Sequence, residues 1–141
     1  MFRAGDTYTY SPDISEADAR KSWVDAYPAV YVAESDGLIV GTYCLKPNQP
    51  GLGSHVCNAG YIVSQQARGK GIATLMCEHS QAEAKRMGFR GMQFNIVVST
   101  NEAAVRLWQK LGFEFVGRLP GAFKHSKLGY VDAFVMYKQL Q

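Results

Sequence analysis

The chain has 141 residues, of which 47% are hydrophobic and 19% are charged, and its formal net charge is +3. This length suits the core of one domain, so we expect a single domain over residues 1–141. There is no apolar run of roughly 20 residues to span a membrane, no apolar centre of a secretory signal at the start, and no run of Lys and Arg interleaved with aromatic residues that would favour nucleic acid. We therefore expect a cytoplasmic protein with neither a membrane nor a nucleic-acid partner.

The cysteines Cys44, Cys57 and Cys77 are odd in number, have no C-x-x-C spacing and have no clustered histidines near them. This pattern favours neither a disulfide framework nor a metal site. We expect each thiol to be a small buried hydrophobic group.

The hydrophobic pattern predicts elements in a mixed order. They are a helix over 13–27, strands over 29–34, 38–45 and 55–64, a helix from 71, a strand over 92–98, a helix over 101–111, and strands over 113–117 and 130–137 separated by a Pro/Gly/Lys loop. Ser15 is the candidate cap of the first helix, Asp36-Gly37 predicts a tight hairpin turn, and Gly88 and Gly112 are helix stop signals. This order indicates a mixed α/β or α+β fold with helices on both faces of one sheet.

Residues 65–74, QQARGKGIAT, place two glycines and several cations between the third strand and the next helix. Such a turn presents backbone N–H groups without internal acceptors, and the helix dipole adds partial positive charge. The turn is therefore a candidate phosphate site. Its spacing excludes a Walker A loop, and a dinucleotide fingerprint is disfavoured because Thr74 stands where a third glycine is needed.

Residues 66–71 have the pattern Gln/Arg-x-x-Gly-x-Gly/Ala and resemble the coenzyme A pyrophosphate loop of the GNAT acetyltransferase superfamily. A second stretch, Asn101-x-x-Ala104-x-x-x-Trp108-x-x-x-Gly112-Phe113, is similar to that family's N-x-x-A-x-x-x-Y-x-x-x-G-F helix and strand. The resemblance implies a GNAT-like mixed, mostly antiparallel sheet flanked by helices on both faces, with acetyl-CoA as co-substrate and no metal. It also implies an N-terminally truncated core lacking the first strand, because the start FRAGDTYTY is similar to the end of the family's first helix.

The resemblance further implies which residues bind the coenzyme. Backbone N–H groups of the glycine turn would hold the pyrophosphate, the cationic side chains would add charge-assisted contacts, and the third strand would bind the pantetheine arm. The implied cofactor-binding residues are Ile62, Val63, Gln66, Arg68, Gly69, Lys70, Gly71, Ile72, Ala73, Asn101 and Trp108. Alternatives stay open, since Gly69 and Gly71 could simply make a tight turn and Arg68 and Lys70 could be solvated charges.

Acetyl transfer to an amine needs a neutral amine, stabilisation of an oxyanion and a proton for the leaving thiolate. The family's usual acid is a tyrosine, but this chain has Trp108 there, and an indole does not release a proton at physiological pH. Many members carry a carboxylate near the position of Asn58 or Ala59, where this chain has no titratable base. Tyr61 and Tyr130 are spare proton donors, which we rank below bulk water.

Three asparagines, Asn58, Asn95 and Asn101, resemble the arrangement in fungal N-acetyltransferases that act on azetidine-2-carboxylate and other proline analogues. We hypothesise that Asn95 and Asn101 position the amine and polarise the thioester carbonyl, and that Asn58 or its backbone N–H orients the substrate carboxylate. Asn101 could instead serve only as a helix cap. Asn95 is harder to explain structurally, because asparagine is depleted in strands and a buried amide needs partners.

The sequence therefore predicts an acetyl-CoA-dependent N-acetyltransferase that acetylates the amine of a small amino or imino acid through a direct ternary complex. The alternatives are a non-catalytic acyl-CoA-binding module and a phosphinothricin-type detoxifying acetyltransferase. We expect residues 5–10 and 121–130 to form the two lips of the site, where Lys124, His125 and Lys127 could meet a substrate carboxylate or be ordinary loop cations. The resemblance implies a homodimer, because dimers are common in that superfamily, and an incomplete sheet edge adds a reason, since unpaired strands invite a partner.

Overall fold

The structure, a computed structural model, describes the backbone of residues 1–141 and every side chain except that of Arg3. The strands pair in the order β1-β2-β3-β4-β6-β5, with β3 and β4 parallel and the pairs β1/β2, β2/β3 and β5/β6 antiparallel. The fold class is therefore confirmed as a mixed, mostly antiparallel sheet with helices. In chain order the elements are α1 (Glu16–Arg20), β1 (Ala29–Ser35), β2 (Leu38–Pro47), β3 (Val56–Val63), α2 (Ile72–Arg86), β4 (Gly91–Val98), α3 (Glu102–Lys110), β5 (Glu114–His125) and β6 (Gly129–Gln139).

The chain divides into two compact units, which are described separately below. The β1–β3 unit comprises Arg20–Gln93 and Gln139–Gln141. The β5–β6 unit comprises Met1–Ala19 and Phe94–Lys138. A single domain over the whole chain stays a prediction.

Helices cover both faces of the sheet in the β1–β3 unit. On β2, Tyr43 hydrogen-bonds through its hydroxyl to Nδ1 of His79 on α2, at 2.6 Å. The preceding residue, Thr42, accepts a hydrogen bond from Nε1 of Trp23 at 3.4 Å. Neighbouring residues of a strand project to opposite faces. The segment around Trp23 therefore packs on the face opposite α2, as the sequence predicts.

The first helix is shorter than predicted. It begins at Glu16 because Ser15 is the cap: Ser15 Oγ accepts a hydrogen bond from the backbone N–H of Asp18 at 3.1 Å. After Arg20 the chain continues as a wider π-helical turn over Lys21–Asp25, which carries the buried Trp23. The cap residue Ser15 thus marks where the helix starts. No local pattern in the sequence predicts the change from an α-helix to a π-helical turn after Arg20.

The hairpin turn and the thiols follow the predictions. Asp36 and Gly37 have φ angles of 51° and 78°, as the tight turn between β1 and β2 requires. Cys44, Cys57 and Cys77 are free and fully buried. Burial raises the pKa of both the Cys44 and the Cys57 thiol to about 12, so these two thiols stay protonated and unreactive near neutral pH.

The predicted Pro/Gly/Lys loop after residue 117 is wrong, because β5 continues through it to His125. The register with β6 shifts between Leu119 and Phe123, and Gly121 has a φ of 60° within this irregularity. Its N–H donates to Asp132 Oδ1 at 2.9 Å. β5 is an edge strand, where a proline such as Pro120 interrupts pairing on one side only. A breaker-rich sequence is therefore compatible with a strand here.

The opposite edge of the sheet is formed by β1. The start of the chain forms a short 3-10 turn over Phe2–Ala4, and the expected lack of a first family strand stays a prediction. Among the residues that the structure describes, none belongs to a helix with the length and hydropathy required to cross a membrane.

Candidate functional site

The glycine turn leads from β3 into α2 in the β1–β3 unit. A single 3-10 turn, Gln65–Ala67, is fixed by the buried Ala67 and by a hydrogen bond of 2.7 Å from Ser64 Oγ to Gln66 Oε1. Gly69 and Gly71 then both adopt a φ of 78°, a backbone conformation that residues other than glycine rarely adopt. No described atom lies within 4 Å of where a Cβ on either glycine would stand. The backbone is thus open to close approach by a ligand.

The first turn of α2 is suited to an anion. Gly71 is its N-cap and supplies no side-chain hydrogen bond, and the first helical turn contains no acidic residue. The first backbone bond of the helix runs from the Leu75 N–H to the Gly71 carbonyl at 3.0 Å. The N–H groups of Ile72 and Ala73 precede it and therefore have no intrahelical acceptor. Together with the helix dipole, they form the kind of site that binds phosphate.

The cationic side chains of the turn are exposed, as is Gln66. Arg68 and Lys70 flank Gly69 and extend into solvent. At exposed positions, charges contribute mainly to attraction of an anion and only modestly to its affinity. The backbone groups of the turn, rather than these side chains, therefore define the candidate phosphate site.

β3 approaches this turn with its two faces in different environments. Ile62 and Val63 are half-buried and pair with Thr42 and Gly41 of β2. The parallel pairing with β4 runs from Val56 to Asn58, which is opposite Gln93. Asn58 itself is half-buried, and its Nδ2 donates to the Gln93 carbonyl at 3.0 Å. Asn58 therefore lies on the same strand that carries Ile62 and Val63 to the glycine turn.

Asn101 caps α3 in the β5–β6 unit. Its Oδ1 accepts a hydrogen bond from the Ala104 N–H at 3.3 Å, and its Nδ2 donates to Thr7 Oγ1 at 3.4 Å. The capping role is confirmed. The first predicted lip, which contains Thr7, lies against Asn101. The amide of Asn101 thus contacts both its own helix and the start of the chain.

Asn95 on β4 is exposed, so the argument that it is a buried amide is wrong. Strand alternation explains its position: Phe94 is buried, and the next side chain projects to the other face. Exposure removes the desolvation penalty that was expected for this amide. Its catalytic role stays a prediction, now without the argument from burial.

Trp108 packs against the aromatic core of the β5–β6 unit. Its ring centroid is 4.9 Å from that of Phe94 and 6.4 Å from that of Phe113. The side chain is half-buried. The predicted packing of Trp108 on the core is confirmed, and its contact with a pantetheine arm stays a prediction.

Neither spare tyrosine is placed to supply a proton easily. Tyr61 is buried, its hydroxyl hydrogen-bonds to Ser80 Oγ at 2.6 Å on α2, and burial raises its pKa well above 10.0. It is three positions after Asn58 along the strand, so the two side chains project to opposite faces of β3. Tyr130 is exposed near the tip of the β5–β6 hairpin. Bulk water is left as the proton donor that we rank first.

The second lip is the tip of the β5–β6 hairpin. His125 Nδ1 accepts hydrogen bonds from the N–H groups of Lys127 and Leu128, at 3.0 and 3.2 Å, so this nitrogen stabilises the turn. Ser126 joins the tip to the first lip, because its N–H donates to the Gly5 carbonyl at 3.0 Å, and its Oγ donates to the preceding Ala4 carbonyl at 2.9 Å. The two predicted lips therefore contact each other.

Each unit brings together part of the predicted site. In the β1–β3 unit, Asn58, Ile62, Val63 and the glycine turn follow one another along β3 into α2. In the β5–β6 unit, Asn95 lies in β4, which ends at Val98 shortly before the helix that Asn101 caps and that carries Trp108. Within the described part of the chain, no group of three or more His, Cys, Asp or Glu side chains is placed to hold a metal ion.

The sequence patterns did not identify Lys46 and Tyr27 as candidate site residues. They lie on the same side of the sheet as Asn58, and they had no motif to mark them. Only the strand register reveals Lys46 as the cross-strand partner of Asn58.

The chain is similar to known proteins over most of its length. The model of the acetyltransferase (GNAT) family matches residues 3–113. N-acetyltransferase aca1 of Schizosaccharomyces pombe is 39% identical over 98 residues, which are 69% of this chain and 47% of that protein. The chain spans about half the length, or less, of the curated relatives that it matches.

Solved structures give the same result. A GCN5-related N-acetyltransferase from Kribbella flavida is 41% identical with a TM-score of 0.89, over 96% of this chain and 83% of that one. The yncA protein of Salmonella typhimurium, solved with its cofactor acetyl-CoA, is 26% identical with a TM-score of 0.80, over 94% of this chain and 78% of that one.

The chain belongs to the acetyltransferase (GNAT) family. This confirms the resemblance read from the glycine turn and the second motif, including the likeness to a fungal N-acetyltransferase. Family membership agrees with the predicted acetyltransferase class, and the similar yncA protein was solved with its cofactor acetyl-CoA.

Proposed function

We propose that this protein is an acetyl-CoA-dependent N-acetyltransferase that acetylates the amine of a small amino or imino acid through a direct ternary complex. The observation that carries the proposal is the open turn before α2. Gly69 and Gly71 combine positive φ angles with free space around their Cα atoms, at the start of a helix without a side-chain cap. This is the backbone geometry that a diphosphate needs.

The residues of the β1–β3 unit would bind and align the coenzyme. The N–H groups of the glycine turn and of the first turn of α2 would hold the diphosphate, with Arg68 and Lys70 adding attraction from solvent. Backbone groups of Ile62 and Val63 would hold the pantetheine arm by extending the sheet, a mode of binding that uses main-chain hydrogen bonds. When bound, acetyl-CoA supplies an acetyl group activated as a thioester.

The asparagines would position the acceptor. Amides are neither acids nor bases at neutral pH, but they donate and accept hydrogen bonds in fixed directions. Asn95 and Asn101 would orient the amine and stabilise negative charge on the carbonyl oxygen, and Asn58 would orient the substrate carboxylate. Donors aimed at developing charge are worth on the order of 100-fold to 1,000-fold in rate each.

Proton transfer would go to and from water. The Tyr61 hydroxyl is committed to Ser80, and Trp108 has an indole N–H that does not dissociate. The acceptor would then have to bind as the neutral amine or lose its proton to solvent. We accordingly expect activity to rise with pH through the pKa of the acceptor amine.

The test is release of coenzyme A thiol from acetyl-CoA with a panel of amino and imino acids, among them L-azetidine-2-carboxylate, L-proline and phosphinothricin. The proposal predicts thiol release that depends on the acceptor, saturates with both substrates and follows sequential kinetics. Parallel lines in double-reciprocal plots, which indicate a covalent acetyl-enzyme, would contradict the direct transfer.

A second candidate is a non-catalytic acyl-CoA-binding module. It is favoured by Trp108 in place of the usual tyrosine and by the amide of Asn58 where many family members have a carboxylate. This candidate predicts an increase in melting temperature with acetyl-CoA but no thiol release with any amine.

Turnover of phosphinothricin alone would favour the detoxifying alternative. A homodimer and a cytoplasmic location stay predictions from the sequence.

A further inference from the structure

Lys46 on β2 is the direct cross-strand partner of Asn58 on β3. In an antiparallel pair, opposite side chains project from the same face with their Cβ atoms about 5 Å apart. Tyr43 is three positions before Lys46 on β2, Tyr61 is three positions after Asn58 on β3, and both tyrosines project toward α2. Because side chains alternate along a strand, Lys46 and Asn58 project from the face opposite α2. A primary ammonium and an amide therefore lie side by side on β2 and β3.

The ammonium of Lys46 is held by an aromatic ring. Its Nζ lies 4.7 Å from the ring centroid of Tyr27, within the range of a cation–π interaction. Tyr27 is in turn positioned by Trp23, with 6.1 Å between the two ring centroids. The lysine side chain is half-buried, so it is partly shielded from bulk water. These contacts restrict a side chain that would otherwise be highly mobile.

This ammonium has no carboxylate partner among the side chains that the structure describes. The ion pairs formed by Glu83, Glu102 and Asp132 all go to arginines. A half-buried cation that lies over a ring and pairs with no carboxylate gains more from an anionic ligand than a fully solvated one does. The second hydrogen of Asn58 Nδ2, beyond the one donated to Gln93, can serve the same ligand.

We infer that Lys46, held by Tyr27 beside Asn58, binds the carboxylate of the acceptor amino or imino acid. The inference rests on the proposed function, and it names the feature of the substrate that the site selects. The acceptor carboxylate receives a charge-assisted hydrogen bond from Lys46 Nζ and an amide hydrogen bond from Asn58. Acceptors that lack a carboxylate lose both contacts.

Lys124 offers a contrast within the same chain. Its Nζ lies 5.8 Å from the ring centroid of Tyr130, but both residues are exposed near the tip of the β5–β6 hairpin. An exposed cation of this kind is screened by water and salt. Lys46, rather than Lys124, is therefore the residue to which the structure assigns carboxylate recognition.

The experiment compares acceptors with and without the carboxylate in matched variants. Binding of L-azetidine-2-carboxylate and of azetidine is measured by calorimetry in the presence of saturating coenzyme A, and thiol release from acetyl-CoA is measured with the same pair. The variants are Lys46→Met, Lys46→Arg and Lys124→Met. Melting temperatures and acetyl-CoA affinities are recorded for each variant to verify folding and coenzyme binding.

For Lys46→Met, we expect the Kd and KM for L-azetidine-2-carboxylate to rise at least about tenfold, the loss expected for a charged hydrogen bond. Constants for azetidine and acetyl-CoA should not change. Lys46→Arg should restore most of the binding, and Lys124→Met should resemble the wild type. The inference is overturned if Lys46→Met binds the amino acid normally, if Lys124→Met shows the loss instead, or if the wild type binds azetidine as well as its carboxylate.

Failure of the proposed function gives a different result. In that case no acceptor releases thiol, whereas carboxylate binding still depends on Lys46. Conversely, turnover that does not depend on Lys46 retains the proposed function and overturns only the inference. Absence of amino-acid binding by the wild type also overturns the inference.

Discussion

Asn101 donates a hydrogen bond to Thr7, 94 residues earlier in the chain, with 3.4 Å between Nδ2 and Oγ1. The Oδ1 atom of the same amide accepts from Ala104 and caps α3. The two atoms of this amide thus have separable roles. Asp in this position keeps the capping oxygen and removes the N–H donor, whereas Ala removes both.

We predict that Asn101→Asp retains the free energy of unfolding within about 0.5 kcal/mol, whereas Asn101→Ala loses about 1 kcal/mol through the missing cap. If the amide N–H contributes to catalysis, both variants should lose on the order of 100-fold in kcat. Denaturant unfolding and thiol-release kinetics make the comparison. Wild-type kcat in Asn101→Asp would show that capping is the only role of Asn101.

The glycines at the two ends of α2 provide a matched pair. Gly71 and Gly88 have φ angles of 78° and 91°, and apart from adjacent backbone no described atom lies within 4 Å of a Cβ built on either glycine. Alanine at either position should cost about 1–2 kcal/mol of stability through backbone strain alone. Only Gly71→Ala places its methyl group at the proposed diphosphate site, so only this variant should bind acetyl-CoA at least about tenfold more weakly. Equal Kd values for the two variants would exclude the turn as the coenzyme site.

Substitution of Asn95 tests the proposed catalytic role of its amide without a large effect on the stability of the protein. Because the side chain is exposed, Asn95→Ala should change the free energy of unfolding by less than about 0.5 kcal/mol. Loss of a donor to developing charge should lower kcat on the order of 100-fold at saturating acetyl-CoA. Gln109→Ala, which removes another exposed amide, serves as the control and should behave as the wild type. Full turnover by Asn95→Ala would refute the proposed role of this residue.

The contacts of Glu83 should make the stability of the folded protein depend on pH. Its carboxylate accepts hydrogen bonds from Arg86 and from the Tyr31 hydroxyl, and these contacts lower its pKa from 4.5 to about 2. A lowered carboxyl pKa stabilises the folded state above the unfolded pKa, and this stabilisation is lost as pH falls through the folded value. Between pH 4.5 and 2, the melting temperature should therefore fall less steeply in Glu83→Gln than in the wild type. Parallel melting curves against pH would show that Glu83 is not coupled to folding.

Features with local signals could be predicted from the sequence. The Asp36-Gly37 turn, the stop signal Gly88 after α2, and the capping role of Asn101 each follow from the conformational preferences of a few adjacent residues. The glycine turn belongs to this group as a candidate coenzyme loop, because its proposed function depends on backbone geometry within one turn. Family membership followed from two such local patterns.

Features that depend on register or on distant packing could not be predicted. β5 continues past Pro120 because it is an edge strand with a shifted register, which no local pattern reveals. The exposure of Asn95 depends on which face of β4 is covered. Lys46 became a candidate only when the pairing of β2 with β3 placed it opposite Asn58.

The most direct measurement is a crystal structure of the protein with acetyl-CoA. We predict that the diphosphate lies within hydrogen-bond distance of backbone N–H groups between Arg68 and Ala73, with the pantetheine arm along Ile62 and Val63. Acetyl-CoA bound away from the first turn of α2, or absent at concentrations that saturate related acetyltransferases, would contradict this prediction.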